Sequence, residues 1–441
     1  MTPFRPLRRR GALTGLLGLL ASCSTSIKKP PITGTQIPVV PTPSGMDVAA
    51  NAPAVALPAP VMLPAWPQPY ANPAHAPGNA AGPLDFKPRW RVGIGSSGGE
   101  RQPLAASPVL AGSSVFAMDA DAHIRAFSLA DGHALWHADT RPKHATNINI
   151  GGGIAYDAGK IYASTGYGEA LALDAETGKI LWRQPLDFPA RAAPLVAGGL
   201  VAILTQNDLL LTFDQASGTP GWRFSGAVGS PPMTAASVTG APAYADGLIV
   251  AGFSTGLLAA LDAVSGMAAW EQSLAAGFGQ ASSLDMSDVV AAPVIAGGVV
   301  YAINLDGTFM AVDLHSGAQV WTHRATSLQT PAASGGFLFL LDNTQMLYAL
   351  HADDGLVRWR TQLPPFKNMK KKEKPILWSG PTLVNGMLVC VSDQREAVLV
   401  DAATGKPARH VKLDAPATLA PIAAGGALLL LTRDARLTAY G

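Results

Sequence analysis

The residue types that carry chemistry are few in this chain, and their spacing does not fit the common catalytic sites. The G-x-S-x-G pattern of a serine nucleophile occurs twice, in GSSGG around Ser97 and in GFSTG around Ser254. A nucleophile elbow needs a strand that turns into a helix, whereas the strand-like LLAALD follows Ser254. The 9 histidines include no H-E-x-x-H pair and no close cluster. We therefore predict no catalytic residue, no metal site and no cofactor.

The 2 cysteines lie in different settings, which argues against a disulfide framework. Cys390 lies in the strand-like MLVCV, where apolar neighbours indicate packing in a core. Cys23 follows Leu20, Ala21 and Ser22 at the end of an apolar run. Its chemistry depends on the segment that precedes it.

The N-terminus has the features of a secretion signal. Four arginines within residues 5–10 precede an apolar stretch, residues 12–20, that is too short to span a bilayer. LASC, residues 20–23, resembles the bacterial lipobox, which implies a signal peptide at residues 1–22 and acylation of Cys23. An ordinary cleaved signal with a chance cysteine is the alternative. Ser24, rather than an aspartate, resembles the pattern of lipoproteins sent to the outer membrane.

Residues 23–84 read as a tether rich in proline and alanine. Residues 30–83 contain 14 of the 36 prolines, which favours extended backbone without internal hydrogen bonds. The far end differs, because Trp66, Tyr70 and His75 would gain nothing in a solvated linker. We predict that residues 63–80 lie against the folded body.

One phrase recurs along the rest of the chain. Its seven copies are FSLADGHALW (127–136), LDAETGKILW (173–182), FDQASGTPGW (213–222), LDAVSGMAAW (261–270), VDLHSGAQVW (312–321), LHADDGLVRW (350–359) and VDAATGKPAR (400–409). Their glycines are 38 to 51 residues apart, a period typical of repeats built from four strands.

Each copy predicts a β-hairpin whose glycine adopts a positive φ in the turn. In five copies an aspartate four places before the glycine can accept bonds from the turn's N–H groups. A tryptophan follows the glycine by four places in six copies, and Arg409 replaces it in the seventh. We expect these indole rings to be buried between neighbouring sheets.

A second apolar hairpin, such as PLVAGGLVAIL, precedes several of these phrases, so two hairpins form one four-stranded blade. The C-terminal PIAAGGALLLLTRDARLTAYG supplies three strands, and RWRVGIG from Arg89 supplies the missing fourth. We therefore predict an all-β fold: residues 85–441 form an eight-bladed β-propeller of antiparallel blades, the last closed by both chain ends.

These repeats resemble the PQQ-type propeller repeat, and the lipobox, tether and eight blades together resemble the BamB-like outer-membrane assembly lipoproteins. That resemblance implies a non-catalytic scaffold on the periplasmic side of the outer membrane, held there by its lipid. Its implied partners are the barrel-insertion subunit and, beyond it, nascent outer-membrane proteins. A PQQ-binding or other cofactor-binding quinoprotein is the alternative, although the adjacent cysteine pair of many such enzymes does not occur in this sequence.

The same resemblance implies a partner contact near the stretch SDVVAAPVIAGGVV, residues 287–300. Asp288 matches the first acidic position of the family's acidic loop, and Val290 stands where a second aspartate is expected. At the position of the family's leucine-arginine loop stands MTAASVTG, residues 233–240, which lacks the leucines and the arginine.

A lysine-rich link, PPFKNMKKKEKPILW, follows Trp359 and carries Lys370, Lys371 and Lys372 at its centre. A solvated loop is one interpretation. The other is contact with an acidic partner loop or with anionic lipid headgroups. A formal net charge of +2 is too small for a general nucleic-acid surface, so no nucleic-acid partner is predicted.

Overall fold

The computed structural model describes residues 46–99, 101–145, 148–227, 240–274 and 288–441. These residues form strands and turns, and no helix occurs among them. The predicted signal peptide, Cys23 and the tether up to residue 45 lie outside the described residues. Residues 233–239, at the position of the leucine-arginine loop, also lie outside them.

The strands are short, and most have three to six residues. In chain order, the first half are β1 (Pro88–Gly93), β2 (Gly98–Gly99), β3 (Gln102–Pro103), β4 (Val109–Ala111), β5 (Ser114–Met118), β6 (Ile124–Ser128), β7 (Ala134–Ala138), β8 (Gly152–Asp157), β9 (Lys160–Thr165), β10 (Glu169–Asp174), β11 (Ile180–Pro185), β12 (Leu195–Ala197), β13 (Leu200–Leu204), β14 (Leu209–Asp214), β15 (Pro220–Ser225), β16 (Ala243–Ala245), β17 (Leu248–Gly252), β18 (Leu257–Asp262) and β19 (Ala268–Ser273).

The second half are β20 (Val294–Ala296), β21 (Val299–Ile303), β22 (Thr308–Asp313), β23 (Gln319–Arg324), β24 (Ala332–Ser334), β25 (Phe337–Leu341), β26 (Met346–His351), β27 (Val357–Gln362), β28 (Phe366–Asn368), β29 (Glu373–Pro375), β30 (Trp378–Val384), β31 (Met387–Ser392), β32 (Glu396–Asp401), β33 (Pro407–Lys412), β34 (Ile422–Ala424), β35 (Ala427–Thr432) and β36 (Arg436–Tyr440).

These strands form eight four-stranded antiparallel blades, as the repeats predict. Blades 1 to 6 are β4–β7, β8–β11, β12–β15, β16–β19, β20–β23 and β24–β27, and blade 7 is β30–β33. Blade 8 consists of β34, β35 and β36 with β1 as its outer strand, and Trp90 pairs with Ala439. The remaining strands form two small hairpins, β2–β3 and β28–β29, in links between blades.

The core is divided among the blade interfaces. There are eight clusters of buried apolar residues, and each pair of neighbouring blades has one cluster between them. The cluster with Trp90, Leu110 and Leu429 lies between blade 8 and blade 1 and closes the ring. Cys390 is fully buried in the cluster between blades 6 and 7, as expected.

The recurring phrase joins each blade to the next. The Trp182 indole, on β11 of blade 2, lies over Gly218 in the turn of blade 3, and its Nε1 donates to the carbonyl of Gln215 at 3.4 Å. Equivalent indole donors reach the next blade's turn from Trp90, Trp136, Trp222, Trp270, Trp321 and Trp359. A register shift in the outer pairing next to each tryptophan of blades 1 to 6 and beside Trp90 of blade 8 marks a bulge that turns the outer strand locally.

Arg409 replaces the tryptophan where the next turn does not exist. Blade 8 joins the two chain ends, so no turn with a glycine lies opposite blade 7 at this place. The Arg409 guanidinium instead donates to the carbonyls of Leu84 and Asp85, at 2.8 and 3.1 Å. It therefore holds the chain just before β1.

Strand direction alternates within each blade, which gives the ring two distinct faces. The face with the links from one blade to the next is called the link face. The face with the turns after the first and third strands of each blade is called the turn face.

Candidate functional site

The centre of the ring is covered on the turn face by the protein's own N-terminal segment. Residues 61–82, called the cap segment, follow the rim of the channel from blade to blade, which confirms the prediction that residues 63–80 lie against the body. Backbone bonds join the segment to the inner strands or the turns that follow them in six blades. The bonded pairs are Leu63 O and Gly425 N at 2.8 Å, Trp66 N and Leu110 O at 2.7 Å, Pro67 O and Tyr156 N at 2.6 Å, Pro73 O and Tyr244 N at 2.7 Å, Ala74 O and Ile295 N at 2.9 Å, and Ala80 N and Leu383 O at 3.2 Å.

Two polar side chains of the cap segment are buried and bonded. The Gln68 amide donates to Val196 O at 2.8 Å and accepts from Val196 N at 3.1 Å, which adds blade 3 to the blades that hold the segment. The Nδ1 of His75 lies 2.7 Å from Pro293 O. Burial lowers the pKa of His75 to about 4, against the opposing effect of the Pro293 bond. His75 is therefore neutral at pH 7.

Above the cap segment lies a cavity of about 320 Å³, lined by residues from all eight blades. Trp66, Tyr70 and His75 form part of its wall on the cap side. The other walls are mainly alanine, proline, threonine and leucine from the starts of the inner strands. Among the described lining residues the amide is Gln329, whose Oε1 accepts a bond from Gly380 N at 3.0 Å. The lining residues that the structure describes include no carboxylate, lysine or arginine.

This cavity does not fit the quinone cofactor of the alternative hypothesis. PQQ carries three carboxylates, which need cations or several hydrogen-bond donors when they leave water. The described lining offers neutral hydroxyl, amide and ring groups, but it offers no cation to balance three carboxylates. Elsewhere in the described part of the chain, no group of three or more His, Cys, Asp or Glu side chains could hold a metal ion.

A buried ion cluster lies beside the channel toward the link face. Arg191 is fully buried; its Nη1 donates to Asp208 at 2.6 Å and its Nη2 donates to Asp288 at 2.6 Å. Asp208 also accepts bonds from the backbone N and the Oγ of Ser254. The cluster ties together the link into blade 3, the second turns of blades 3 and 4, and the link into blade 5. Buried ion pairs add little net stability, because the cost of removing two charges from water offsets their attraction.

Asp288, predicted for partner contact, is thus 4% exposed and bound to Arg191. Its carboxylate fixes the backbone at the entrance to blade 5. The partner contact at Asp288 stays a prediction. Sequence reasoning missed Arg191 and Asp208. The signal that could have found Arg191 is a lone charge in the apolar link PARAAPLV, residues 189–196.

Ser254 does not have the geometry of a nucleophile. It is buried in the turn between β17 and β18, and its hydroxyl donates to Asp208. No helix follows it, since residues 257–262 form β18. The hydroxyl of Ser254 is bonded to Asp208, which is itself bound to Arg191. Ser254 is therefore part of the ion cluster.

The three predicted lysines lie at the tip of the small hairpin β28–β29, on the link between blades 6 and 7. Lys370, Lys371 and Lys372 are exposed, and the tip is closed by a bond from Lys371 N to Asn368 Oδ1 at 3.1 Å. Buried Ile376 and Trp378 hold the base of the hairpin, and the Trp378 indole donates to Pro364 O at 2.9 Å. The structure does not bring these lysines to Asp288, which lies at blade 5.

Among the described residues, no helix is long and apolar enough to cross a membrane. The chain is similar to solved propellers of two kinds. BamB from Moraxella catarrhalis has a TM-score of 0.64 at 16% identity, covering 79% of this chain and 97% of that one. A europium-containing methanol dehydrogenase has a TM-score of 0.66 at 15% identity, covering 84% and 88%. At such identities these likenesses show the fold alone.

Sequence relatives are more specific. The chain is 25% identical to outer membrane protein assembly factor BamB of Yersinia pestis over 80% of its own length and 88% of the relative's. It is 27% identical to the protein of that name from Escherichia coli K12, over 78% and 86%. A model of the family described as outer membrane protein assembly factor BamB matches residues 120–361. Because this match covers more than half of the chain and falls on blades 1 to 6, the protein belongs to the BamB family.

Proposed function

We propose that the protein is a non-catalytic scaffold subunit of the outer-membrane β-barrel assembly machinery. It is anchored by acylated Cys23 and faces the periplasm, with a signal peptide at residues 1–22 and a tether from Cys23. The observation that carries the proposal is membership of the BamB family through the match over residues 120–361. Its partners are the barrel-insertion subunit and, through it, nascent outer-membrane proteins.

The link face supplies the partner surface in this proposal. The turn face is partly covered by the cap segment, whose backbone already occupies the rim of the channel. On the link face, Phe188 and Leu328 are large apolar side chains that are 47% and 52% exposed. Aromatic side chains are enriched in the cores of protein interfaces, which makes Phe188 the position to probe on this face.

The ion cluster gives this surface its rigidity. Phe188 precedes Arg191 by three residues in the same link, and Arg191 is bonded to Asp288 at the entrance to blade 5. The link that carries Phe188 is thus held to the link into blade 5 by buried charges. A preorganised surface loses less conformational entropy when a partner binds.

Site-specific photocrosslinking in cells tests the proposal. A photoreactive residue at Phe188 should crosslink to the barrel-insertion subunit. The same residue at Val264, which is 89% exposed in the outer turn of blade 4 on the turn face, is the matched control and should not. Copurification from membranes in mild detergent should recover the same subunit with the parent chain.

Two results would overturn the proposal. One is a barrel-insertion subunit that neither crosslinks at Phe188 nor copurifies with the parent chain. The other is purified protein that takes up PQQ with calcium and reduces a dye with an alcohol donor, because that activity would make the protein a quinoprotein.

A further inference from the structure

The lysine hairpin, residues 366–375, is an exposed cationic surface without a described partner. Its five lysines, Lys367, Lys370, Lys371, Lys372 and Lys374, and its single Glu373 are all exposed. Within the described ranges none of these lysines forms an ion pair with a carboxylate. Five positive charges and one negative charge leave a net charge of +4 at one tip.

Apolar side chains flank this charge. Met369, inside the hairpin tip, is 56% exposed, and Leu377, just after the hairpin, is 58% exposed. A cationic loop that also presents apolar side chains suits the interface of an anionic bilayer, where lysines meet headgroups and the apolar groups enter the acyl boundary. An acidic protein loop would not by itself explain the exposed Met369 and Leu377.

The hairpin is also built to hold its position. Phe366 pairs with Pro375 at its base, and Ile376 N donates to Pro365 O at 2.9 Å. Leu377 exchanges two bonds with Asp393 of blade 7, at 2.9 Å through the carboxylate and 3.1 Å through the backbone. The tip therefore projects from a fixed base.

The N-terminal chain reaches the propeller at the same blade. Asp47 accepts a bond from Arg360 at 2.9 Å, and Ala49 N donates to Val357 O at 2.9 Å. Both partners lie on β27, the outer strand of blade 6, and the hairpin begins six residues after Arg360. The 23 residue steps from Cys23 to Met46 span at most about 80 Å, so the anchor alone does not orient the propeller.

We propose that the lysine hairpin is a second membrane contact, which binds anionic phospholipid headgroups and turns the blade 6–7 edge of the ring toward the bilayer. The inference rests on the proposed function through the lipid anchor at Cys23. It adds a defined orientation to that anchor. Because a tethered protein has a high local concentration near the membrane, even weak headgroup contacts are sufficient to hold this orientation.

A fluorescent dye at the tip tests the inference. The full chain, recovered from membranes as Met369→Cys and labelled with an environment-sensitive dye, is reconstituted into vesicles. Val264→Cys is the matched control, since it is also an exposed apolar turn residue but has no lysine beside it. Buried Cys390, the thiol pKa of which is raised to about 12, should not react, and the unsubstituted chain checks that no other thiol does.

We expect a blue shift at position 369 in vesicles with about 30% phosphatidylglycerol and none in neutral phosphatidylcholine, because the attraction is electrostatic. The shift should weaken in about 0.5 M salt, which screens the headgroups. Combined Lys370→Gln, Lys371→Gln and Lys372→Gln substitutions should lower the apparent affinity of the tip for anionic lipid, read from the blue shift, at least tenfold. This is on the order expected for three lost charges. Position 264 should not respond.

Four outcomes would overturn the inference: no shift at 369 with anionic vesicles, an equal shift in neutral vesicles, an equal shift at 264, or the same shift with inorganic phosphate alone. A shift that needs an added acidic protein would also overturn it and assign the hairpin to a protein partner. None of these results depends on the barrel-insertion subunit, so the scaffold proposal stands or falls separately.

Discussion

The contact between each tryptophan and the next blade's turn can be tested at Gly218. This glycine has a φ of +73°, and a Cβ built on it would lie 2.6 Å from Cδ2 of Trp182. Gly199, in the same blade, has a φ of +79°, and a Cβ there would meet nothing within 4 Å. The two positions share a backbone conformation, but of the two only Gly218 lies against an indole ring.

The expected cost follows from this difference. Alanine at either position loses about 1–2 kcal/mol, because an L side chain is strained at positive φ. At Gly218 the Cβ would also stand about 0.8 Å inside the ordinary contact distance of 3.4 Å. Overpacking of this size costs about 1–3 kcal/mol more, since Trp182 must shift or leave its hydrogen bond to Gln215.

Urea unfolding of Gly218→Ala and Gly199→Ala measures the difference. With an m-value of about 3 kcal/mol/M, the extra cost lowers the midpoint of Gly218→Ala by about 0.3–1 M relative to Gly199→Ala. In a Trp182→Leu background the two alanine variants should become similar, because the smaller side chain removes the overlap. Equal midpoints in the parent background would refute tight packing of the indole on the turn.

Three further outcomes are expected. Arg409→Ala should cost about 1 kcal/mol and speed amide exchange at residues 86–93, since the guanidinium no longer holds the carbonyls of Leu84 and Asp85. Burial lowers the pKa of His75 from 6.5 to about 4, so its contribution to stability is complete above pH 6.5. About 3 kcal/mol of the free energy of unfolding is lost as the pH falls to 4, because the unfolded chain binds the proton first. The free energy of unfolding of His75→Leu should therefore depend less steeply on pH across this range. Cys390 is buried and its pKa is raised to about 12, so a thiol reagent at pH 8 should modify it only in urea.

Each outcome has a control on the same chain. For Arg409→Ala, the amide exchange rate in β13 of blade 3 should not change. An unchanged amide exchange rate at residues 86–93 would show that Arg409 does not hold the chain before β1. For His75, an equal slope in the parent and His75→Leu would show that other groups cause the acid sensitivity. For Cys390, rapid modification in native buffer would contradict its burial.

Much of the fold could be predicted because its signal is periodic and local. The glycine of each phrase must accept a positive φ, and all seven do. The aspartates accept turn N–H bonds, as Asp174 does from Thr177 at 2.8 Å. The unmatched three strands at the C-terminus and the lone tryptophan strand at Arg89 predicted the shared eighth blade, because an open ring would leave sheet edges unpaired.

The site was less accessible to sequence reasoning. Asp288 was chosen by resemblance for a surface contact, and the fold buries it against Arg191, 97 residues away in the chain. No local pattern joins these two residues. The meeting of Arg191, Asp208 and Ser254 depends on how blades 3, 4 and 5 turn about the central axis.

The sequence by itself determined the blades and their number, since these follow from backbone conformation and apolar spacing within about 50 residues. It determined the closure from the incomplete strand sets at the two chain ends. The predicted burial of the tryptophans holds for Trp182, Trp270, Trp321 and Trp359, whereas Trp136 and Trp222 are half-buried. Only the tertiary structure decided that the cap segment follows the rim of the channel, that the described cavity lining carries no charged group and that the ion cluster joins the links into blades 3 and 5. These features depend on contacts among seven or eight blades at once. Their energies come from groups that are distant in the chain and adjacent only after the ring has closed.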